Sequence, residues 1–159
     1  MKAMNRLYAG AIAALLAATV ACTPDRLSDL SAYHTLDPES GWAYGDTLRY
    51  TLRPDSAEVT DSGSLILGLR HTASYPYDNL WLELSYAGPD SVTMVRDTFN
   101  ISLADNNGKW RGAGPGTSIQ LTDTLLRNFA LPDGPLNLRH VMRTPAVEQI
   151  EQIGLIFTK

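Results

Sequence analysis

GSLILGLR at residues 63–70 and NLWLELSY at residues 79–86 decide the fold of this 159-residue chain. In the first, Leu65, Leu67 and Leu69 alternate with Ser64, Ile66 and Gly68. In the second, Leu80, Leu82, Leu84 and Tyr86 alternate with Trp81, Glu83 and Ser85. A period of two puts each leucine set on one face of a β-strand, because successive side chains of an extended chain point to opposite sides. The pattern recurs at Val95, Phe99, Ile101 and Leu103, at Leu136, Leu138 and Met142, and at Ile153, Leu155 and Phe157.

Turn signals separate these runs: YPYDN at 75–79, AGPD at 87–90, ADNNG at 104–108, GAGPG at 112–116 and PDGP at 132–135. Strands so closely spaced suit antiparallel hairpins. Residues 145–153 carry the single helix signal, with Pro145 at a first turn and Val147, Ile150 and Ile153 spaced by three. Seven to nine short strands, with no helix long enough for a parallel crossover, predict an all-β protein built as one antiparallel β-sandwich over residues 39–159. A closed barrel is the alternative.

The N-terminal segment reads differently. Lys2 and Arg6 open it, an apolar run from Leu7 to Leu16 follows, and small residues lead to Val20, Ala21 and Cys22. A charged start, a short apolar stretch and a small-residue cleavage site are the marks of a secretory signal peptide, here residues 1–21. The run is shorter than the ~18 apolar residues of a membrane-spanning helix. Cys22 is the one cysteine in the chain, so it has no internal disulfide partner. At the cleavage site it is expected to accept lipid, which makes the chain a bacterial lipoprotein. The N-acyl and S-diacylglycerol chains on Cys22 are then the sole non-protein groups expected, with no metal or other cofactor. Residues 22–38, polar and broken by Pro24 and Pro38, read as the lipidated cysteine and a flexible tether.

Charge narrows the partners. The whole chain carries 13 basic against 17 acidic residues. Removal of residues 1–21 takes Lys2 and Arg6, leaving eleven basic residues and a net charge near −6. With no basic block, neither nucleic acid nor electrostatic attachment to anionic lipid is expected, and membrane attachment falls to the acyl chains. Thr23 rather than an aspartate follows Cys22, and no acidic run comes after it, which points to the periplasmic face of the outer membrane.

No catalytic constellation is legible. The acidic residues are scattered singly, and His34, His71 and His140 lie far apart, as structural or surface histidines do. There is no HExxH, CxxC, phosphate loop or nucleophile elbow. DNNG at 105–108 is followed by Lys109 and Trp110, where a calcium loop needs an oxygen ligand and a glycine, so a tight hairpin turn explains it better. GAGPG lacks the context of a dinucleotide site, and its glycines suit a bulge or bend beside Trp110. Tyr75, Tyr77 and Trp81 fall within seven residues, and Trp42 and Trp110 could join them. Such a cluster could stack a sugar, clamp an extended peptide or dock a protein, or it could be core packing. Arg70, Arg139 and Arg143 could pair with a partner's carboxylates or with Asp97 or Asp78.

Several stretches together resemble the gliding-motility lipoprotein GldH family. They run in order: the lipidated cysteine, YHTL at 33–36, GWAYGDTL at 41–48, LGLRHTASYPYDNLWLEL at 67–84, DTFNISLADNNGKWRGAG at 97–114, LRHVMR at 138–143 and IEQIGLIF at 150–157. The resemblance implies a non-enzymatic envelope lipoprotein that supports the gliding machinery and the protein secretion apparatus coupled to it. Its partners would be other envelope lipoproteins or membrane proteins of that apparatus. A lipid-anchored glycan- or peptide-binding module is the alternative. Lipidation itself is directly testable: Cys22→Ser should abolish incorporation of a tagged fatty acid and leave the precursor uncleaved. Equal labelling of wild type and variant would remove the anchor.

Overall fold

The computed structural model describes residues 30–52 and 62–159. The expected signal peptide, Cys22 and the first part of the tether lie outside them. Ten strands form: β1 (Leu30–Thr35), β2 (Trp42–Ala43), β3 (Leu48–Tyr50), β4 (Gly63–Thr72), β5 (Asn79–Ala87), β6 (Met94–Ser102), β7 (Ser118–Phe129), β8 (Leu136–His140), β9 (Ala146–Val147) and β10 (Ile150–Thr158). One four-stranded sheet has the order β1-β10-β4-β7 and the other β3-β8-β5-β6, while β2 and β9 make a separate two-stranded ribbon. Every pairing is antiparallel. The expected β-sandwich is the architecture observed.

Alternation governs the core. Leu65, Leu67 and Leu69 of β4 and Leu80, Leu82 and Leu84 of β5 are all essentially inaccessible, and Leu136, Leu138, Ile153, Leu155 and Phe157 join them in one cluster. Each fully buried leucine contributes roughly 1.5–3 kcal/mol relative to exposure, so the facing rows supply most of the cohesion between sheets. Two tyrosines add specific ties. The Tyr50 hydroxyl on β3 donates to the Ile153 carbonyl on β10 (3.1 Å), and the Tyr86 ring on β5 meets Phe129 on β7 edge-on with centroids 5.1 Å apart.

Two expectations are corrected, and one strand lacks the alternation that marks the others. Residues 30–35, assigned to the tether, are strand β1, paired from Leu30↔Phe157 to Thr35↔Gln152. As an edge strand it buries its inward side chains only halfway, so its alternation is faint in the sequence. The folded domain therefore begins at or before Leu30, not at residue 39. The helix signal at 145–153 is absent: β9 and the start of β10 occupy it. Gln149 adopts a left-handed backbone (φ 67°), and the register shifts between Ile150 and Gln152. That bulge turns both Ile150 and Ile153 inward, producing a spacing of three without a helix. Finally, β7 is the longest strand yet shows no clean alternation. Two register shifts against β4 leave Leu121, Leu125 and Phe129 as its buried residues.

One feature of the outer face bears on β1. Gly154 of β10 stands beside Gly68 of β4 and Tyr33 of β1, and the Tyr33 ring lies across both glycines, where any Cβ would collide with it. A tyrosine on an edge strand here covers backbone that glycine leaves open. Gly154→Ala should displace Tyr33 and destabilise the domain by about 1–3 kcal/mol in urea unfolding. In a Tyr33→Ala background the same substitution should cost markedly less; equal penalties would mean that the ring does not set the requirement for glycine.

Candidate functional site

Strand direction brings the aromatic residues to one end of the sandwich. β4 and β8 finish there with Thr72 and His140, and β5, β7 and β10 begin there with Asn79, Ser118 and Ile150. Loops 36–41, 73–78, 103–117 and 141–149 therefore cluster at this end. The β2–β9 ribbon helps to close it, burying Trp42 and Val147. The Trp42 indole N–H donates to the Asp46 carbonyl (3.0 Å).

The three candidate aromatics separate into two layers. Tyr75 is buried, its hydroxyl donating to the Asn79 carbonyl (3.1 Å). It packs against His71 (5.5 Å between centroids), Tyr77 (5.7 Å) and Trp110 (6.4 Å). Burial raises its phenol pKa well above the usual range. Tyr75 is thus a support and presents no surface to a partner. Tyr77 and Trp81 are exposed by 37% and 41%. Trp81 projects from the outer face of β5, as its phase between Leu80 and Leu82 requires. Its backbone is pinned by the 141–142 segment: its N–H donates to the Met142 sulfur (3.3 Å) and its carbonyl accepts from the Val141 N–H (2.9 Å).

That segment forms a ridge with a cleft on either side. One cleft, about 460 Å³, is lined by Tyr77, Trp81, Val141, Met142, Arg143 and Thr144. The other, about 380 Å³, shares Val141 to Thr144 and adds Tyr44 and Pro145. Tyr44 is 58% exposed and packs edge-on against His140 (5.6 Å). Arg143 is the one charged residue lining either cleft, and it makes no hydrogen bond or ion pair among the described residues. Arg139, by contrast, grips Glu83 through two bonds (2.9 and 3.1 Å), with Arg96 more distant at 3.5 Å. The Arg139 hydrogen bond holds the Glu83 carboxyl below its ordinary range. Arg70 donates to Gln120 (3.3 Å), and Asp97 accepts from Tyr86 (3.0 Å). Among the described residues, neither Asp97 nor Asp78 takes an arginine.

The other candidates settle as follows. DNNG is a hairpin turn: the Asp105 carboxylate accepts from the Asn107 and Lys109 N–H groups (2.8 and 2.9 Å), with Gly108 left-handed. GAGPG bends the chain, and Ala113 bridges to Gln120. Trp110 packs on His71 (4.8 Å). His34 bonds the Arg49 carbonyl (3.0 Å). Among the described residues no three His, Cys, Asp or Glu side chains come together to hold a metal. A third, polar cleft of about 570 Å³ lies at the same end, lined by Asp78, Asn79, Asn100, Ser102, Ala104, Asp105, Asn106 and Gly108.

His71 and His140 lie inside the plug beneath the clefts, both fully buried. The His71 Nδ1–H donates to the Thr72 carbonyl (2.8 Å), leaving Nε2 buried with no partner. His140 rests between Trp42 (5.3 Å) and Tyr44, neither ring nitrogen having a well-aligned partner. It is a buried histidine held mainly by ring packing, not a surface one. Desolvation pushes both imidazoles below the usual range, with Arg139 adding to it at His140; the Thr72 carbonyl and then the Glu151 carboxylate oppose this at His71, as do the Ala43 and Trp42 backbone and Asp46 at His140. Folded, both therefore take up a proton at lower pH than the unfolded chain, which does so near its ordinary pKa of ~6.5. Stability is therefore intact above that pH and lost as pH falls toward the folded values, by up to about 1.4 kcal/mol per pH unit for each histidine. Urea unfolding at pH 7.5, 6 and 5 should show this slope, and His140→Leu should flatten it. An unchanged slope would acquit His140.

Of the residues lining these clefts, Arg143 was singled out in the sequence as a partner for carboxylates, whereas Tyr44, Val141, Met142 and Thr144 were not singled out as site residues. Their clefts arise where three loops meet, and no local pattern marks that meeting. Comparison with known proteins gives one clear result. No curated protein and no solved structure matches the chain. The family described as GldH lipoprotein matches residues 30–156, from the first residue of β1 almost to the end of β10. The match covers both sheets and the aromatic end, and the chain belongs to the GldH lipoprotein family.

Proposed function

We propose that this GldH-family lipoprotein is a non-catalytic accessory or assembly factor of the gliding apparatus and its associated secretion machinery, held by lipid on Cys22 at the periplasmic face of the outer membrane. Its sandwich docks other envelope proteins through the aromatic end. The observation that carries this reading is the pair of exposed rings, Tyr77 and Trp81, set in a cleft above a rigid plug of buried aromatics. Exposed aromatics in such a setting are the side chains that tend to dominate interface energy.

Strand register supports an orientation. Leu30 pairs with Phe157 near the end of β10, whereas the clefts lie at the opposite end, where β10 begins. Seven residues separate Cys22 from Leu30, so the chain enters the sandwich at the end remote from Tyr77 and Trp81. At about 3.3 Å per residue, the nine residues of β10 set these ends roughly 30 Å apart. A lipid anchor on Cys22 would direct the clefts away from its own bilayer and toward proteins of the periplasm or the facing membrane.

Tyr77→Ala and Trp81→Ala in the full-length acylated chain should each reduce co-purification of motility or secretion components. Both rings are substantially exposed, so neither change should cost as much stability as loss of a packed aromatic, about 3–5 kcal/mol. Tyr75→Ala, which empties part of the plug, supplies that contrast. The assembly role is rejected if folded, lipidated Tyr77 and Trp81 variants retain every partner and deletion of the gene leaves secretion and surface movement unaltered.

A further inference from the structure

Two clefts flanking one ridge call for an occupant that crosses it. Each cleft is of a size to accept one or two side chains, and together they fit an extended segment better than a flat protein face. In an extended chain, alternate side chains point the same way about 6.5–7 Å apart. Two such side chains can enter the two clefts while the residue nearest the ridge crest meets Arg143.

The lining favours a peptide over a glycan. Val141, Met142 and Pro145 offer apolar surface and Tyr44, Tyr77 and Trp81 offer rings. The Thr144 hydroxyl already donates to the Ala146 carbonyl (3.0 Å). Sugars present many hydroxyl groups that must keep hydrogen bonds when desolvated, and these walls provide few. Met142 adds a polarisable thioether of the kind that adapts to varied apolar side chains.

Charge selects the remaining feature. Arg143 is exposed, lines both clefts and has no partner among the described residues, in a chain with an acidic excess. No carboxylate lines either cleft. Asp78 and Asp105 line the separate polar cleft and Glu83 is held by Arg139, so Arg143 is the one charged side chain that a ligand in the twin clefts meets along their walls. A guanidinium offers a forked, charge-assisted pair of bonds to a carboxylate.

We infer that the twin clefts bind an extended peptide segment of a partner protein, in which an Asp or Glu is flanked by apolar or aromatic side chains, with the carboxylate on Arg143. This rests on the docking role proposed above and names the chemistry of the docked element.

The test is selection of an eight-residue peptide library displayed on phage against the full-length acylated protein in nanodiscs, run in parallel on Arg143→Glu. Wild type should enrich Asp or Glu between apolar residues, and the variant should switch the enriched charge to Lys or Arg. A fluorescein-labelled peptide from the wild-type selection should bind Arg143→Gln about tenfold more weakly or worse by anisotropy, in line with loss of a charge-assisted bond. Enrichment without charge bias, or the same bias in both selections, overturns the inference. So does an absence of enriched peptides, whether the chain instead binds polygalacturonate or self-associates through Arg143. If Tyr77→Ala and Trp81→Ala lose envelope partners but the library shows no Arg143-dependent bias, the docking role stands and the acidic segment does not.

Discussion

Two rows of leucine pressed face to face hold this molecule together. β4 and β5 are each flanked on both sides by other strands, and each presents its leucines to the opposite sheet with almost no accessible surface. Because side chains alternate strictly along a strand, burying one row forces the intervening residues outward. Trp81 and Glu83 are on the surface of β5 for that reason, and Gly68 lies on the outer face of β4 under Tyr33. Slipping β5 by one residue would bury Trp81 and Glu83 and expose its leucines. The register that makes the core therefore also aims Trp81 at its cleft.

A sandwich of two sheets has open ends, and closing them is a separate physical problem. At the aromatic end, closure comes from large rings and two neutral imidazoles rather than from more aliphatic residues. Trp42 meets His140 edge to face, as Trp110 meets His71 and Tyr75, an arrangement favoured by the aromatic quadrupole, while His71 and Tyr75 pack tilted. The cost is that buried nitrogens lose water without finding full replacement. The benefit is a stiff base for the exposed layer. Tyr44 packs on His140 and Tyr77 on Tyr75, so surface rings are held in place before any partner arrives. Preorganisation of this kind lowers the ordering cost of association.

The two ends of the domain are chemically unlike. Leu30, where the described chain begins, sits at the end opposite the clefts, while the exposed rings and unpaired Arg143 crowd the other. This polarity suits the anchored docking role proposed above.

Alternation in residues 63–70, 79–86, 95–103, 136–142 and 153–157 was sufficient to specify an all-β sandwich, most of its core and the outward phase of Trp81, because those strands bury one face and a two-residue period is a local property. The separate turn motifs were legible for the same reason, since a turn's residues carry their own backbone preferences. Features that depend on distant neighbours were not legible. β1 looked like tether because a half-buried edge strand shows weak alternation. β10's bulge imitated a helical spacing at 147–153, and two register shifts hid β7. Tyr75, Tyr77 and Trp81 read as one cluster in the sequence, but only the packed structure sends Tyr75 inward beside His71 and Trp110 and leaves the other two outside. The clefts and Tyr44's place in them likewise exist only where loops from remote parts of the chain converge, since a cavity is a relation between surfaces that no single stretch of sequence contains. Arg143 was legible as a partner for carboxylates, but only the structure pairs Arg70 with Gln120 and Arg139 with Glu83 and leaves Arg143 open among the described residues.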